Sequence, residues 1–258
     1  MYAELKMNLD STEITYQQSS NLQGVIMETI DTDYAAILHR NSTNPYSQCV
    51  VKKEDKTEWL IKTLTENAYQ NIICPLTKLE NVEIKKKGLI IKPISRKVKI
   101  IESRELLQEF YEVPCSKYLE ITFLTPTAFK RDGSYVFYPD LRLIYGSMMR
   151  KYSEISSQIN MIDEETLEEI CQKSEIIKYR LQTVPFPVEK VNITGFVGTI
   201  TIKIKGAETL ARYIRMLLRF GEFSGVGIKT AMGMGAIQCR RKVHEGSKGK
   251  NDSCKPDT

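Results

Sequence analysis

Apolar and polar residues alternate at the start of the chain, where Ala3, Leu5, Met7 and Leu9 are separated by Glu4, Lys6 and Asn8. A period of two puts the apolar set on one face, so residues 3–9 are predicted as a half-buried strand. The period then changes. Leu22, Val25, Ile26 and Ile30 recur at helical spacing behind Ser19 and Ser20, either of which can cap a helix. Asp31 or Thr32 restarts a short helix through Tyr34, Ile37 and Leu38, with His39 at its end. Strands over 45–51 and 58–64 flank the polar run Lys52-Lys53-Glu54-Asp55-Lys56. A helix over 65–73 is expected to end at Pro75, and 82–101 reads as β-rich, broken by Gly88 and Pro93.

The pattern then repeats. Residues 118–124 alternate as a strand, and Pro139 opens a helix carrying Leu141, Ile144, Tyr145, Met148 and Met149. Asp163 starts a second helix through Leu167 and Ile170. Strands over 176–184 and 193–204 flank Pro185-Phe186-Pro187, followed by an amphipathic helix over 207–220 and a last strand over 236–243. Each half thus runs strand-helix-strand-strand-helix-strand. The predicted class is α+β, two tandem ferredoxin-like (RRM-like) βαββαβ domains joined near 102–114. The expected division is 1–108, 109–244, and a tail over 245–258 whose Gly, Ser, Lys, Asp and Asn content predicts disorder.

A length of 258 residues and an apolar content of 41% allow two real cores. A net charge of +5 is a mild basic bias, compatible with nucleic acid. No apolar run approaches the ~20 residues of a membrane span, and the N-terminus reads as a strand rather than a signal peptide. The six cysteines are scattered, no Cys-x-x-Cys occurs, and only His39 and His244 are available as imidazole ligands. That inventory argues against zinc and for free thiols in a reducing cytoplasm.

Candidate chemistry concentrates near the end of the chain. Gly225-Val226-Gly227 and Gly233-Met234-Gly235 are two Gly-apolar-Gly triplets separated by five residues that include Lys229. Glycine amides can approach a ligand closely and take positive φ, and a lysine between them suits a phosphate. No Gly-Lys-Ser/Thr follows, which excludes a nucleotide P-loop, and Thr230 stands where a dinucleotide fingerprint needs glycine. A glycine-rich hairpin without a ligand is the plainer alternative. Arg212, Arg215 and Arg219 share a helix stripe leading to this loop. Residues 84–101 carry seven bases and no acid, which also suits a solvated edge strand. Glu164, Glu165, Glu168 and Glu169 pair at i,i+4 on one helix and do not converge from different elements, as a two-metal nuclease requires. His39 sits where a helix C-terminus would hold it, or where an imidazole could transfer protons near neutral pH.

The paired glycine triplets around a basic residue, close to the C-terminus, resemble the hallmark loop of the CRISPR-associated repeat-processing endoribonucleases, RNA-binding proteins built on ferredoxin-like folds. Leu22-Gln23-Gly24, Ile37-Leu38-His39 and Pro45-Tyr46-Ser47 resemble that family's helix, catalytic histidine and following strand, and Phe123–Phe129 resembles the start of its second domain. The resemblance implies RNA contacts at Gly225, Gly227, Lys229, Gly233 and Gly235, with Arg212, Arg215 and Arg219 alongside. It implies His39 as the catalytic residue. Met27 and Asn44 stand where some members carry a tyrosine and a lysine, and Tyr46, Arg40, Lys52 and Lys53 are the substitutes at hand. The implied activity is cofactor-free, metal-independent cleavage of precursor CRISPR RNA within its repeats, leaving 2′,3′-cyclic phosphate and 5′-hydroxyl ends. The implied setting is cytoplasmic, as monomer or homodimer, with effector-complex proteins as further partners. The alternatives are a non-catalytic subunit holding CRISPR RNA in an effector complex and, more distantly, a small-molecule-binding regulator.

Overall fold

Alternation in the first nine residues produces the strand at the centre of the first sheet. The computed structural model of the chain describes residues 1–11, 13–53, 56–112, 114–155, 163–188 and 191–241. The expected tail over 245–258 and His244 lie outside the described residues. In β1 (Tyr2–Leu9), Ala3, Leu5, Met7 and Leu9 face the core. Two helices follow, α1 (Ser19–Thr29) and α2 (Thr32–Arg40), and then β2 (Tyr46–Lys53) and β3 (Lys56–Thr63). The carboxylate of Asp31 accepts from the Asp33 and Tyr34 amides, satisfying donors that the first turn of α2 leaves open.

The next helical stretch departs from expectation at Pro75. It runs from α3 (Glu66–Ala68) through a wide turn, Tyr69–Ile73, to α4 (Cys74–Thr77). The wide i→i+5 turn precedes the proline and accommodates its missing N–H, so the helix passes through it. A two-stranded ribbon, β4 (Val82–Ile84) and β5 (Leu89–Ile91), leads to β6 (Pro93–Ile101). The first sheet is ordered β2-β3-β1-β6, antiparallel throughout, with Leu5 opposite both Ile61 and Val98. The basic run lies largely exposed on edge strand β6 and in the turn between β4 and β5, where Lys85 pairs with Glu28.

The second unit follows α5 (Ser103–Glu112) and opens with β7 (Tyr118–Thr127). A short hairpin, β8 (Phe129–Arg131) and β9 (Ser134–Val136), precedes α6 (Leu141–Ile155) and α7 (Glu164–Gln172). The long strands β10 (Ser174–Val188) and β11 (Val191–Ile204), helix α8 (Glu208–Ser224) and β12 (Ile237–Arg241) complete it. Its sheet order, β10-β11-β7-β12, repeats the topology of the first. The prolines at 185 and 187 fall inside β10, an edge strand, where missing donors are tolerated. Ile144, Tyr145, Met148 and Met149 of α6 and Ile214, Leu217 and Leu218 of α8 are buried against this sheet. Each such side chain contributes about 1.5–3 kcal/mol on leaving water.

The two cores meet. Tyr2, Leu64, Ile101 and Leu106 belong to the second unit's apolar cluster, and the Tyr2 ring lies edge-on to Phe220 at 6.0 Å. A third cluster joins Phe186, Val188 and Ile193 of the β10–β11 hairpin to Ala128, Met234 and Tyr16. The 108/109 position falls inside α5, whose Leu106 packs on the second core. Arginines of α8 strap down α5 and the segment that follows it. Arg212 donates to the carbonyls of Phe110 and Tyr111 while pairing with Glu208, and Arg215 donates to the Pro114 carbonyl.

Arg215 is only 3% exposed, so its loss empties a packed site and removes its hydrogen bond to the Pro114 carbonyl. Arg215→Ala is expected to cost about 1–3 kcal/mol in urea unfolding, and a variant as stable as the parent would contradict this strapping role.

Candidate active site

A groove of about 470 Å³ opens where α2 and β2 of the first unit face α6 and the glycine loop of the second. His39 lines it from the last turn of α2. Tyr34 and Leu38, buried on the other side of that helix, anchor it in the first core and leave His39 and Arg40 exposed. The His39 imidazole has no hydrogen-bond partner among the described residues, so both ring nitrogens are open to a ligand. Arg150 and Lys229 line the opposite side, both exposed and neither paired with an acid among the described residues. Among the described residues no aspartate or glutamate lines the groove.

The glycine loop is held by its own backbone. Gly225, Gly227, Gly233 and Gly235 all have positive φ, and Lys229 joins them at 55°. Their amides point inward, however. Gly225 N–H donates to the Gly221 carbonyl, Gly227 to Ser147 Oγ at 2.8 Å, Gly233 to the Thr230 carbonyl, and Gly235 to the Pro126 carbonyl. In the protein alone the four amides are taken up by an internal lock. A Cβ at 227 would stand 2.2 Å from the Ala128 carbonyl oxygen, and one at 235 would stand 1.9 Å from that of Val226. At 233 it would meet the Ser19 side chain of α1 at 2.2 Å, which shows how closely the loop docks on the first unit. Glycine is required for the turn and for the approach.

The lock begins at the end of α8. The Glu222 carbonyl accepts from Lys62 Nζ at 2.7 Å, and the Phe223 carbonyl accepts from Ser47 Oγ at 2.5 Å. Lys151 Nζ donates to the carbonyls of Ser224 and Gly225 and to Thr230 Oγ1, at 3.0, 3.1 and 3.0 Å. Burial pushes the Lys151 ammonium down to about 7, against an opposing pull from Glu154. Carbonyl oxygens at a helix C-terminus carry partial negative charge, which favours a cation there.

The sequence-predicted residues divide cleanly. His39 and Lys229 meet in the groove, with Gly227 beside them. Tyr46 lines it only as a wall, 1% exposed, with its phenol pushed well above the usual range by burial while Gln23 opposes. Such a phenol keeps its proton and packs in the first core. Arg40 lies outside the lining, as do Lys52 and Lys53 at the far end of β2, where Lys53 pairs with Glu58. Arg212, Arg215 and Arg219 also lie outside it; they serve α5 and, for Arg219, an ion pair with Glu222. Arg142 reaches Glu164 and Glu168, which accounts for two of the clustered acids. Among the described residues no three His, Cys, Asp or Glu side chains are grouped to hold a metal.

Arg150 and Lys151 escaped the sequence reading. The signal was present: Ser147, Arg150 and Lys151 are three and four apart, a polar stripe beside the apolar face of α6.

The backbone lock separates two glycines. Gly24, exposed in α1, has nothing within 4 Å of a Cβ, so Gly24→Ala should stabilise by about 0.5–1 kcal/mol through helix propensity. Gly235→Ala should destabilise by at least about 1–3 kcal/mol from backbone strain alone. Thermal unfolding of both variants checks the pair, and a Gly235→Ala protein melting with the parent contradicts the lock.

A family model described as "CRISPR-associated endoribonuclease Cas6" matches residues 121–237. A CRISPR-associated endoribonuclease Cas6 of Streptococcus thermophilus is 38% identical over 221 residues, covering 85% of this chain and 90% of the relative. One from Mycobacterium tuberculosis is also 38% identical, covering 84% of this chain and 70% of its own. Among solved structures, a Cas6 (TTHA0078) product complex superposes with a TM-score of 0.77 at 23% identity, over 93% of this chain and 99% of that one. Thermus thermophilus Cas6 (TTHB231) reaches 0.68 at 20% identity, over 93% and 98%. These likenesses support the doubled ferredoxin-like fold. With this identity across most of both sequences, the chain belongs to the CRISPR-associated endoribonuclease Cas6 family.

Proposed function

We propose that this protein cuts precursor CRISPR RNA within its repeats without a metal ion. The 2′-hydroxyl next to the cut attacks its own phosphate, leaving 2′,3′-cyclic phosphate and 5′-hydroxyl ends. The observation that carries the reading is the groove: among the described residues that line it, one free histidine faces two free cations and no carboxylate is present. That set suits a polyanion. Solved Cas6 neighbours described as product and substrate-mimic complexes support RNA as the ligand.

The chemistry needs a proton removed from the 2′-oxygen, a proton delivered to the departing 5′-oxygen, and a counter-charge for the phosphorane between them. An imidazole can accept or donate near neutral pH, and His39 offers one with no internal partner among the described residues, whereas the Lys151 amine is held by the loop. The new O2′–P bond forms as the P–O5′ bond breaks; His39 takes the 2′-proton or supplies the 5′-proton, and water from the open groove carries the other. The ammonium of Lys229 and the guanidinium of Arg150 balance the charge that builds on the phosphoryl oxygens. Lys229 also contributes a phosphate contact to binding.

Replacing His39 by alanine should slow single-turnover cleavage by about 10²–10⁴-fold while leaving RNA affinity near that of the parent. Equal rates would favour an RNA-holding subunit instead. A repeat RNA with a single 2′-deoxy substitution at the scissile nucleotide should bind and remain intact. Cleavage of the unmodified RNA should continue in EDTA; cutting of the deoxy RNA, or arrest by the chelator, would overturn the mechanism.

A further inference from the structure

We propose that Lys151 is a positioning residue: its ammonium bolts the glycine loop to α6 and so holds Lys229 at the distance where it meets RNA phosphate. The proposal rests on the functional reading above, in which Lys229 contacts RNA.

Three observations carry it. First, all three Nζ donors of Lys151 are engaged by the protein, through the carbonyls of Ser224 and Gly225 and Thr230 Oγ1. An ammonium has three donors and no acceptor, so none remains for a phosphate. Second, those acceptors bracket the approach to Lys229. Ser224 and Gly225 end α8 and begin the loop, and Thr230 opens the 3-10 turn Thr230–Met232 for which Lys229 is the N-terminal cap. Third, Lys229 sits in left-handed backbone at φ 55°, a conformation rare for a residue with a Cβ. Its carbonyl accepts from Met232 and Met234, which fixes the loop from the far side. A strained residue keeps its place only while its surroundings over-determine it. Lys151 supplies the near side of that constraint.

Charge explains why lysine suits the position. The end of α8 presents carbonyl oxygens beside a groove meant for a polyanion, and a cation seated on them removes that repulsion. Methionine would match the length of the stem but leave three acceptors unmet. Thr230→Val removes one acceptor only, and keeps the methyl that packs where a Cβ on Gly225 would lie.

The experiment uses a repeat RNA that the parent protein cuts, made with a 2′-deoxy nucleotide at the cut so that it binds intact. Affinity is measured across a potassium chloride series for the parent, Lys229→Ala, Lys151→Met and the double variant. Each lost phosphate contact lowers the slope of log affinity against log salt by about one unit. Lys229→Ala should lower it by one contact, Lys151→Met by the same amount, and the double variant by no more. An unchanged slope in Lys151→Met overturns the proposal. So does a two-contact loss in the double variant, which would mean that Lys151 itself meets phosphate. If Lys151→Met does not fold, Thr230→Val carries the test: a reduced slope supports the bolt and a parental slope overturns it. A parent protein that binds the RNA without salt dependence would sink the functional reading itself. A one-contact loss in Lys229→Ala beside a parental slope in Lys151→Met sinks only the role of Lys151, whereas a parental slope in Lys229→Ala sinks the phosphate contact of the functional reading.

Discussion

The arrangement depends on how α8 ends. A helix leaves its last carbonyls without intrahelical partners, and at this end they are inside the protein, where unpaired acceptors are costly. The solution draws on the whole molecule. Gly221 is served by the Gly225 amide, Glu222 by Lys62, Phe223 by Ser47, and Ser224 by Lys151. Lys62 and Ser47 lie on β3 and β2 of the first unit, and Lys151 lies on α6 of the second. Capping one helix therefore locks two sheets together.

That lock sets the groove. The chain leaves α8 through Gly225, turns back through Gly235, and presses Gly233 against α1. The same turn carries Lys229 out to face His39 from the other unit. His39 and Lys229 thus come from separate cores, held in register by backbone hydrogen bonds and a few buried polar groups. Loops built this way can place a charge firmly because their own amides are already satisfied. The cations that do not face the groove have different work. Arg212 fastens α5 to α8, Arg215 holds the Pro114 carbonyl beyond the end of α5, and Arg219 pairs with Glu222, whose carboxylate also accepts from the Cys239 amide on β12.

Local pattern determined much of this. Alternation in 3–9 and 118–124 specified the central strands, and helical spacing in 141–149 and 207–220 specified the helices that cover the second sheet. Two rounds of the same element order were enough for the doubled fold, because a sheet with one apolar face must find helices to cover it. The glycine triplets were legible as positions needing positive φ, and His39 as the one histidine within predicted structure. Each of these properties depends on residues close by in the chain.

What the tertiary structure decided is which neighbours those residues meet. An arginine stripe at i, i+3 and i+4 shares a helix face, but periodicity does not say whether that face meets solvent, RNA or another helix. Docking of α5 turned Arg212 and Arg215 inward. Glycine amides looked available because nothing in the local sequence shows that Ser147 and Pro126 reach them. Pro75 stayed helical because a wide turn absorbed its missing donor. Ser147, Arg150 and Lys151 read as an ordinary polar face until α6 met the loop. The groove joins positions 39, 150 and 229, and only the packing of two cores, through contacts far apart in the chain, brings such positions together.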